Sequence, residues 1–393
     1  MDGSFLVVST VSDDPFAIDV AHYFGQQAEI ADLIALKRFA NTEFCPRFIS
    51  DEGDLENIGN HLAGSTVVIV STCCGLHTRN ALAMRTSLVA RAAKDNGAAR
   101  VVLVEPDLYY SAQDRGPCLT QGDVDFDRGT SDRKKFDGQP FSARFYAEML
   151  RTSGIDGVIT VHNHSVSVQR LFYDEFDGVF HNLSPAEVYG HYLMNDSLNG
   201  VVGKAHGLAL CAPDAGAAGF VRDVFATIQK KSSNLLLAPD VDLLFMEKQR
   251  RGERQVVMHP APHSPLGLDD VAGRDIIVFD DMVRTGHTIM ECCKKLKEAG
   301  ARRVVFVVTH FYSSSEVKEN LNTPAIDEIV TTNTLPTILN RDMQGRLRRK
   351  MLVLKIEKWI ADFLLRMFEL SPLPAGKTLY SIDISSKNPR AQP

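Results

Sequence analysis

Residues 274–288, with the sequence RDIIVFDDMVRTGHT, combine residue types that are suited to binding a phosphorylated ligand. Ile276–Phe279 is a short apolar run rich in β-branched residues, which is typical of a strand buried on both faces. Asp280 and Asp281 follow this run, and the turn at 285–288 leads into an amphipathic helix. Another apolar run follows the helix, so the stretch predicts a βαβ unit with polar side chains after its first strand.

The turn between this strand and this helix has the features of a phosphate-binding loop. A helix N-terminus presents unpaired backbone N–H groups and the positive end of the helix dipole. Thr285 and Thr288 add hydroxyl donors, and Gly286 lets the backbone approach a ligand closely. Asp280 and Asp281 suit hydroxyl groups or a cation beside the phosphate, so the pattern indicates a ribose 5-phosphate. The simpler alternative is a capping threonine with two solvated aspartates at a strand end.

Length and composition are those of a soluble globular protein. A chain of 393 residues, 44% hydrophobic and 23% charged, is long enough for more than one domain with a substantial core. The net charge of −6 argues against a general nucleic-acid binder, and no apolar run is long enough for a transmembrane helix. The N-terminus has early acidic residues and no basic region, unlike a signal peptide. The seven cysteines contain no CxxC spacing, which argues against a zinc site or disulfide framework and favours the reducing cytoplasm.

Apolar strands alternate with amphipathic helices along most of the chain. This alternation predicts an α/β fold with a mostly parallel sheet covered on both faces. Residues 105–138 break the pattern with a polar stretch rich in Asp, Gly and Arg, and loops of this length are usually functional or mobile. A second alternating run follows, so we predict an N-terminal domain at 1–182, a C-terminal domain at 183–371 and a tail at 372–393.

Two other groups of polar residues are candidates for chemistry. His164 and Asp214 each lie just past an apolar strand, where ligands bind in parallel sheets, and their donor atoms suit a divalent cation such as Mg²⁺. Their simpler role is to cap helices or to lie on the surface. Lys248, Arg250 and Arg251 occupy a polar stretch between two strands, where a loop could close over phosphates. The simpler interpretation is a solvated charged face.

Several motifs resemble those of a known family. The stretch DDMVRTGHT resembles the phosphoribosyl-diphosphate loop of type I phosphoribosyltransferases and of ribose-phosphate diphosphokinases. Further marks of the diphosphokinases occur in the family's order along residues 5–370. FANTE at 39–43 is similar to F-S-[DN]-x-E, PDAG at 213–216 is similar to PDxG, and EKQR at 247–250 resembles the catalytic K-x-R loop. His164 matches the family's metal-binding histidine.

This resemblance implies two phosphoribosyltransferase-like (type I) domains, each a mostly parallel sheet flanked by helices. It implies transfer of the β,γ-diphosphoryl group of ATP to the 1-hydroxyl of ribose 5-phosphate, with AMP as the second product and Mg²⁺ as the cofactor. The resemblance assigns catalysis to Lys248 and Arg250 and the metal to His164 and Asp214. It assigns ribose 5-phosphate to Asp280, Asp281, Arg284, Thr285, Gly286, His287 and Thr288.

The resemblance also implies an adenine site that two subunits share. In that site Phe39 stacks on adenine, while Asn41 and Glu43 read its edge. The remaining ATP contacts are expected from Gln113, Asp114 and Arg115. A shared site implies a homo-oligomer built from dimers, with a hexamer as the largest form expected. Neither nucleic acid nor a membrane is an expected partner.

The chain departs from the family at the ATP-binding segment R-Q-D-R. Residues 110–115, YSAQDR, have Ala112 where the first Arg is expected. An alternative alignment begins at residue 131, which leaves an insertion at 105–130 and Thr130 in place of that Arg. One ATP contact is missing in both alignments. The candidate replacements are Arg115, Arg128 and Arg133.

Two other departures concern charge. His162 stands where the family often has Asp, and Arg284 stands where the family usually has a third Asp in the sugar-phosphate loop. Arg284 could pair with the phosphate in a bidentate manner or accept a larger 5′ group such as a diphosphate. Three alternative functions therefore stay open: the same transfer to a different ribose 5-phosphate derivative, a catalytically silent regulatory subunit of a synthetase, and a phosphoribosyltransferase.

Overall fold

The computed structural model describes residues 4–75, 77–124, 126–196, 207–232, 241–251, 255–374 and 378–383, with the side chains of 195–196, 249–251 and 255–257 left out. The chain forms two compact units. The first comprises Met1–Leu183 and Glu357–Pro374, and the second comprises Ser184–Ile356 and Ala375–Pro393.

The first unit contains a parallel sheet of five strands in the order β1-β4-β5-β6-β7, and an antiparallel hairpin formed by β2 and β3. The strands are β1 (Phe5–Ser9), β2 (Ile34–Arg38), β3 (Phe44–Phe48), β4 (Thr66–Val70), β5 (Arg100–Val104), β6 (Gly157–Val161) and β7 (Phe180–Leu183). The central strands are short apolar runs that are buried over nearly their whole length, as expected for a parallel sheet covered on both faces.

Helices connect these strands. They are α1 (Pro15–Phe24), α2 (Ile30–Leu33), α3 (Arg79–Asp95), α4 (Thr130–Lys134), α5 (Ser142–Thr152) and α6 (Val166–Glu175). Three of them begin at the side-chain caps Asp14, Thr78 and Ser165. Helix α6 and strands β3 and β7 were not among the elements that we predicted from the sequence.

The sequence-based division assigned the last helix, Glu357–Met367, to the C-terminal domain, and the structure corrects this assignment. That helix packs against α1 of the first unit. The ring of Phe368, just beyond it, lies 5.1 Å from the ring of Phe5 and 6.3 Å from that of Phe24. Burial of these aromatic side chains draws the segment back to the first sheet.

The second unit contains eight strands in the order β10-β9-β8-β11-β12-β13-β14-β15. They are β8 (Leu208–Ala212), β9 (Val241–Arg251), β10 (Gln255–Pro260), β11 (Asp275–Val283), β12 (Arg303–Phe311), β13 (Glu328–Thr332), β14 (Met351–Lys355) and β15 (Ser381–Ile382). Strands β9, β8, β11, β12, β13 and β14 are parallel, and the edge strands β10 and β15 are antiparallel to their neighbours.

The helices of the second unit are α7 (Ala186–His191), α8 (Ala218–Ser232), α9 (His287–Glu298), α10 (Ser315–Leu321) and α11 (Arg341–Gln344); Glu357–Met367 of the first unit is α12. A π-helical turn, Tyr192–Asp196, follows α7, and 3-10 turns occur at Leu268–Asp270, Pro336–Leu339 and Gly345–Lys350. The mostly parallel sheets and flanking helices confirm the predicted fold class. In the described residues, no helix has both the length and the apolar character that crossing a membrane requires.

Two strands extend further than predicted, and both changes affect candidate residues. β11 runs through Val283, so Asp280 and Asp281 lie within the strand and not beyond its end. β9 runs through Arg251, so the charged stretch that we expected to be a loop is a strand paired with β10. Antiparallel hydrogen bonding satisfies the backbone of this stretch, which side-chain polarity alone does not reveal. The predicted tail likewise contributes β15 to the sheet.

Candidate active site

The second unit brings the strand, the turn and the helix predicted around residue 280 together. Strand β11 lies between β8 and β12, so the carboxyl ends of three parallel strands meet here. Helix α9 begins at His287 directly after the turn, and Gly286 at its N-cap provides no capping side chain. The N–H groups of the first helical turn therefore face outward without a side-chain acceptor at the N-cap, as a phosphate-binding turn requires.

Gly286 is required at this position for two reasons. Its φ of 78° lies in the left-handed region, which glycine adopts at little cost. A Cβ atom placed on it would also lie 3.1 Å from Leu321 Cδ2 at the end of α10. The neighbouring carbonyl of Thr285 accepts a hydrogen bond of 2.8 Å from Asn320 Nδ2, which fixes the turn against α10. The turn is thus held from behind while Thr285 and His287 remain exposed.

Three carboxylates lie near one another before this turn. Burial raises the pKa of Asp280 well above its usual value, and the neighbouring carboxylates of Asp281 and Asp214 raise it further. The backbone N–H of Asp281 donates to Asp280 Oδ1 at 3.0 Å. Asp214 lies just beyond β8, which is adjacent to β11 in the sheet. The strand ends therefore concentrate negative charge that the protein only partly compensates.

Asp214 also caps a helix, which was the simpler alternative to metal binding for this residue. Its Oδ1 accepts the backbone N–H groups of Gly216 and Ala217 at 3.1 and 3.3 Å, just before α8. Both bonds go to the same oxygen, so capping and an interaction with Asp280 through the other oxygen are compatible. This arrangement fixes the carboxylate at the N-terminus of a helix.

The donor chemistry at this strand end fits a divalent cation such as Mg²⁺. Carboxylate oxygens are its preferred protein ligands, and a cation would relieve the mutual repulsion that raises the pKa of Asp280. Among the described residues, no three His, Cys, Asp or Glu side chains are grouped closely enough to hold a metal by themselves. Mg²⁺ usually takes few protein ligands and completes its shell with water and phosphate oxygens.

Lys248 lies at the phosphate-binding turn. It is exposed near the end of β9, opposite Met258 of β10, and its Nζ donates a hydrogen bond of 2.6 Å to Thr288 Oγ1 in the first turn of α9. This contact brings a mobile cationic head group to the predicted phosphate site. Arg250 lies two residues further along the strand, opposite Val256, and its side chain is outside the described residues.

Arg284 is exposed in the turn itself, immediately before Thr285. No ion pair of its guanidinium is found in the part of the chain that the structure describes. A permanent positive charge thus stands at the entrance of the turn, two residues before the helix N-cap.

The predicted adenine-binding residues of the first unit lie at the tip of the β2–β3 hairpin. Phe39, Asn41 and Glu43 are all exposed, and the ring of Phe39 is 43% exposed with Lys37 Nζ 4.9 Å from its centroid. A backbone bond of 2.9 Å from Phe39 to Glu43 and the positive φ of Thr42 close the turn. The hairpin therefore projects an aromatic face into solvent.

The predicted metal ligand His164 is exposed in the loop between β6 and α6 of the same unit. The residues on either side of it are buried and bonded. Asn163 Oδ1 accepts the N–H of Ser165 at 3.0 Å, and Ser165 caps α6 by accepting the N–H of Val168 at 3.3 Å. His162 is in the left-handed region with a φ of 49°. The backbone of the loop is thus fixed while the imidazole of His164 reaches the surface.

The predicted ATP-binding residues Gln113, Asp114 and Arg115 follow β5. Asp114 Oδ2 accepts a hydrogen bond of 2.9 Å from Ser165 Oγ, and Arg115 lies 3.3 Å from Asp132 and 3.6 Å from Asp114. The backbone carbonyl of Gln113 accepts the N–H of Ala143 at 3.3 Å. These residues are therefore built into the first unit through contacts with α4, α5 and α6.

Comparison with known proteins identifies the family. The sequence profile of the phosphoribosyl synthetase-associated domain matches residues 239–372. The ribose-phosphate pyrophosphokinase of Pasteurella multocida is 31% identical over 287 residues, which are 72% of this chain and 76% of that protein. The enzyme of the same name from Haemophilus ducreyi is 29% identical over 80% of this chain and 85% of its own length.

The chain belongs to the ribose-phosphate pyrophosphokinase family. The family predicted from the motifs, under its synonym ribose-phosphate diphosphokinase, is thus confirmed, and with it membership of a family of enzymes. The crystal structure of phosphoribosylpyrophosphate synthetase from Mycobacterium smegmatis superposes with a TM-score of 0.67 and 23% identity, covering 93% of this chain and 99% of that one. This likeness supports the fold.

The three arginines that are candidates to replace the one expected at Ala112 differ in their contacts. Arg128 has a side chain only 4% exposed, and it binds Asp132 and three backbone carbonyls of the insertion. Arg115 pairs with Asp132 and packs on the ring of Phe136 at 4.9 Å. Arg133 Nε is buried without a hydrogen-bond partner in the described structure, as Arg115 Nε also is, but no ion pair of Arg133 is found among the described residues. Arg133 is therefore the candidate whose guanidinium has the most capacity left for a ligand.

Sequence reasoning missed several residues that shape the candidate site. Ser165 and Ser167 connect α6 to Asp114, and Asn320 holds the phosphate-binding turn. A serine before Val166–Glu175 is a recognisable helix-capping signal and would have revealed α6. Asn320 gave no comparable signal because its partner lies 35 residues away.

Proposed function

We propose that this protein transfers the β,γ-diphosphoryl group of ATP to the 1-hydroxyl of ribose 5-phosphate, giving phosphoribosyl diphosphate and AMP. The observation that carries the proposal is the sequence of groups along β11 and α9: a half-buried carboxylate pair, then a helix N-terminus whose N-cap is a glycine. A sugar phosphate has hydroxyl groups at one end and a phosphate at the other, in the matching order. The family name of the relatives supports the same reaction.

The sugar phosphate is assigned to the second unit. Asp280 and Asp281 accept hydrogen bonds from the ribose hydroxyls or hold the cation bound to them. The 5′-phosphate takes the N–H groups of Gly286, His287 and Thr288, the hydroxyls of Thr285 and Thr288, and the guanidinium of Arg284. This division keeps the carboxylates away from the phosphate, which they would repel.

Lys248 and Arg250 are assigned to the transferred phosphates. Phosphoryl-type transfer asks little covalent chemistry of a protein and depends on positioning and on neutralising charge that spreads over the oxygens. Lys248 is suited to this task because its Nζ lies 2.6 Å from Thr288 Oγ1 on a long flexible side chain. It can leave that hydroxyl and follow a phosphate oxygen as charge develops.

ATP is assigned to residues of the first unit. Phe39 stacks on adenine, Asn41 and Glu43 read its edge, and Arg133 takes the place of the missing arginine. Gln113 and Arg115 supply further ATP contacts from the segment 113–115, in which Asp114 has a supporting role and does not touch the phosphates. An adenine site shared between subunits makes the protein a homo-oligomer of dimers or of larger assemblies up to a hexamer.

Mg²⁺ is proposed as the cofactor. Asp214 and the Asp280–Asp281 pair are its candidate oxygen donors in the second unit, and His164 is a candidate ligand in the first unit. A bound cation would supply charge neutralisation to the polyphosphate and to the carboxylates. The protein's own part is to fix those carboxylates on β11 and before α8, where they cannot move apart.

A second acceptor has one observation in its favour. Arg284 is exposed in the turn and adds a positive charge that a single 5′-phosphate does not require. A ribose with a larger anionic 5′ group, such as a diphosphate, would use that charge fully. Under this alternative the diphosphoryl transfer is unchanged and only the acceptor differs.

The test is AMP release from Mg²⁺–ATP by the purified full-length protein, with and without ribose 5-phosphate. AMP formation that depends on the sugar phosphate supports the proposal. Turnover only with a 5′-diphosphate sugar establishes the second acceptor. No turnover with either, together with copurification with an active relative, identifies a regulatory subunit. Consumption of phosphoribosyl diphosphate with a base identifies a phosphoribosyltransferase.

A further inference from the structure

Asp114, near the start of the 105–130 insertion, receives two hydrogen bonds from the first residues of α6. Ser165 Oγ donates to its carboxylate Oδ2 and Ser167 Oγ donates to its backbone carbonyl, each at 2.9 Å. Both serines are buried, with 5% and 4% of their surface exposed. Two buried hydroxyls thus converge on a single residue that lies more than 50 positions earlier in the chain.

The other side of the same loop is held by a separate set of bonds. The N–H of Asn163 donates to Asn182 Oδ1 at 2.8 Å, and the carbonyl of Asn163 accepts bonds of 3.0 and 2.8 Å from Asn182 Nδ2 and Gln169 Nε2. The N–H of His162 donates to the carbonyl of Leu183 at 2.9 Å. His164 therefore lies between an anchor on β7 and an anchor on Asp114.

The part of the insertion that follows Asp114 is held together by ion pairs and hydrogen bonds. Arg115 connects Asp114 to Asp132, and Asp132 also binds Arg128 at 3.1 Å. Arg128 Nη2 then donates to the carbonyl of Gly116 at 2.7 Å. The sequence predicted that residues 105–138 form a functional or mobile loop. In the structure they contain a connected polar network that ends at the Asp114 carboxylate, which accepts the hydrogen bond from Ser165.

The charge and burial of Asp114 are unsuited to a direct contact with the phosphates of ATP. Its side chain is only 19% exposed, and the oxygen bonded to Ser165 lies at the N-terminus of α6, where a negative charge is stabilised. A carboxylate facing a polyphosphate would instead be repelled. The geometry suits a residue that holds the His164 loop.

We propose that Asp114 is a positioning residue that fixes the His164 loop through Ser165 and Ser167, and that the insertion exists in part to hold Asp114 in place. The role of His164 in Mg²⁺–ATP binding rests on the proposed function above. The coupling between Asp114 and the loop rests only on the contacts of the first unit, so the two can fail separately.

The test compares four variants of the full chain: Asp114→Ala, Asp114→Asn, Ser165→Ala and, as the matched control, Asp123→Ala. Asp123 pairs with Arg170 further along α6, so its loss removes another contact between insertion and helix without touching the His164 loop. Hydrogen–deuterium exchange of residues 162–168 is the readout that needs no activity. We expect faster exchange there for Asp114→Ala and Ser165→Ala, and unchanged exchange for Asp114→Asn, whose amide oxygen still accepts from Ser165, and for Asp123→Ala.

Kinetics and binding supply the second readout. Asp114→Ala should raise the KM for Mg²⁺–ATP about tenfold with kcat changed less than about twofold, because the loop is displaced and not the reacting groups. In a His164→Ala background the same change should add less than about twofold, because residues acting through one another are not additive. Asp114→Asn as damaging as Asp114→Ala, or full additivity with His164→Ala, would overturn the proposal in favour of a direct ligand contact.

The failure modes are distinguishable. If the wild type shows no turnover with any acceptor, the proposed function fails, and the exchange experiment still decides the positioning role. If exchange at 162–168 is unaffected by Asp114→Ala, the positioning role fails whatever the enzyme does. If Asp123→Ala produces the same exchange and kinetic changes, the contact is general docking of the insertion and the proposal is also wrong.

Discussion

The two units place carboxylates at equivalent positions, beyond or near the carboxyl ends of parallel strands, but satisfy them differently. In the first unit Asp14 Oδ2 accepts a bond of 2.8 Å from Thr72, and Oδ1 accepts the N–H groups of α1. Glu105 accepts the N–H of Tyr109 and the hydroxyl of Tyr146, each at 2.8 Å. Every one of these donors belongs to the unit itself.

The second unit leaves its carboxylates facing one another. Asp280 lies beside Asp281 and near Asp214, and their repulsion adds to the effect of burial on the pKa of Asp280. The turn that follows offers N–H groups at Gly286 and α9 with no capping side chain. The donors of the turn and the carboxylates of β11 are thus separate groups on consecutive elements, an order that suits a ligand with hydroxyls at one end and a phosphate at the other.

The difference teaches how to tell a structural carboxylate from one suited to a ligand in the same kind of sheet. Burial raises the pKa of both Asp14, to about 6, and Glu105, to about 8, so a perturbed pKa alone does not distinguish the two units. The groups that surround each carboxylate do distinguish the two units. Hydrogen-bond donors of the protein satisfy the carboxylates of the first unit, whereas the like charges beside the open helix N-terminus of the second unit are stabilised only when a ligand or cation binds.

The largest effect that this comparison predicts is the loss of turnover in Lys248→Ala. Removing a cation that acts mainly as charge develops should lower kcat by about 10²- to 10³-fold with little change in sugar-phosphate affinity. Steady-state rates at saturating substrates and the ribose 5-phosphate KM check this. The matched control is Lys294→Ala, since Lys294 is exposed on α9 and pairs with Glu291 at 3.6 Å. An unchanged kcat with a collapsed sugar-phosphate affinity would mean that Lys248 serves Thr288 and the 5′-phosphate instead.

The second prediction concerns the stability of the first unit and its dependence on pH. The folded pKa of Glu105 is about 8, above its ordinary 4.5, so its contribution to stability is complete below pH 4.5 and is lost as pH rises through 8. Glu105→Gln cannot ionise and keeps the shape of the side chain. The unfolding free energy of Glu105→Gln, relative to that of the wild type, should therefore increase by up to about 1.4 kcal/mol per pH unit between pH 5 and 8.

Urea unfolding at each pH measures this difference, with Glu52→Gln as an exposed control. If the unfolding free energies of wild type and Glu105→Gln changed with pH in parallel, Glu105 would already be ionised in the folded protein. The hydrogen bonds of the first unit would then not hold it in its neutral form.

The third prediction contrasts one carboxylate from each unit. Asp280→Asn removes the repulsion and should raise the unfolding free energy at pH 7 by about 1–2 kcal/mol while abolishing sugar-phosphate binding. Because the pKa of Asp280 is raised in the folded state, this gain should disappear as the pH falls below the ordinary value of 3.8, where the wild-type carboxyl becomes neutral in both states. Asp107→Asn should instead lower the unfolding free energy and leave sugar-phosphate binding unchanged. Asp107 is buried and pairs with Arg79, so breaking that pair destabilises the first unit without touching sugar binding.

Denaturation and isothermal titration with ribose 5-phosphate measure both effects. A loss of stability in Asp280→Asn would contradict the account of a mutually repelling carboxylate pair, and sugar binding lost in Asp107→Asn would erase the distinction between the units.

Local patterns predicted the parts of the fold that local sequence specifies. Helix Ser142–Thr152 and strand Gly157–Val161 are elements of this kind, because apolar periodicity and flanking polar residues define both. The charged residues of β9 gave no such signal, since their strand depends on pairing with β10. Two of the first three residues of α6, Val166 and Val168, are β-branched and lower its helix propensity, and its serine cap was overlooked.

The candidate site divides in the same way. The turn at Thr285–Thr288 and the pair before it were predictable because strand, turn and helix are consecutive in the chain. The contact of Lys248 with Thr288 spans 40 residues, and that of Asp114 with Ser165 spans 51. No local pattern encodes such pairs, so a residue's type could be predicted there but its partner could not.

The smallest effect expected concerns Arg284 and tests whether the open turn is tuned for one phosphate or more. Arg284→Asp reverses the charge beside the turn and should raise the ribose 5-phosphate KM about tenfold at low salt, with the effect shrinking as ionic strength rises. Arg346→Asp, on an exposed arginine of the same unit, is the control for net charge. Substrate kinetics at two salt concentrations provide the measurement.

The acceptor decides what Arg284 does. If it binds only the 5′-phosphate, ribose 5-phosphate and ribose 5-diphosphate should lose affinity equally in Arg284→Ala, because both present the first phosphate to the turn. If it binds a second phosphate, the diphosphate should lose more, since a planar guanidinium can pair with oxygens of both groups. A variant that binds both acceptors like the wild type would show that the turn and α9 hold the phosphate without this charge. Phosphate binding at the turn would then depend only on backbone N–H groups and neighbouring hydroxyls, just as the carboxylates of the first unit depend only on donors of their own unit.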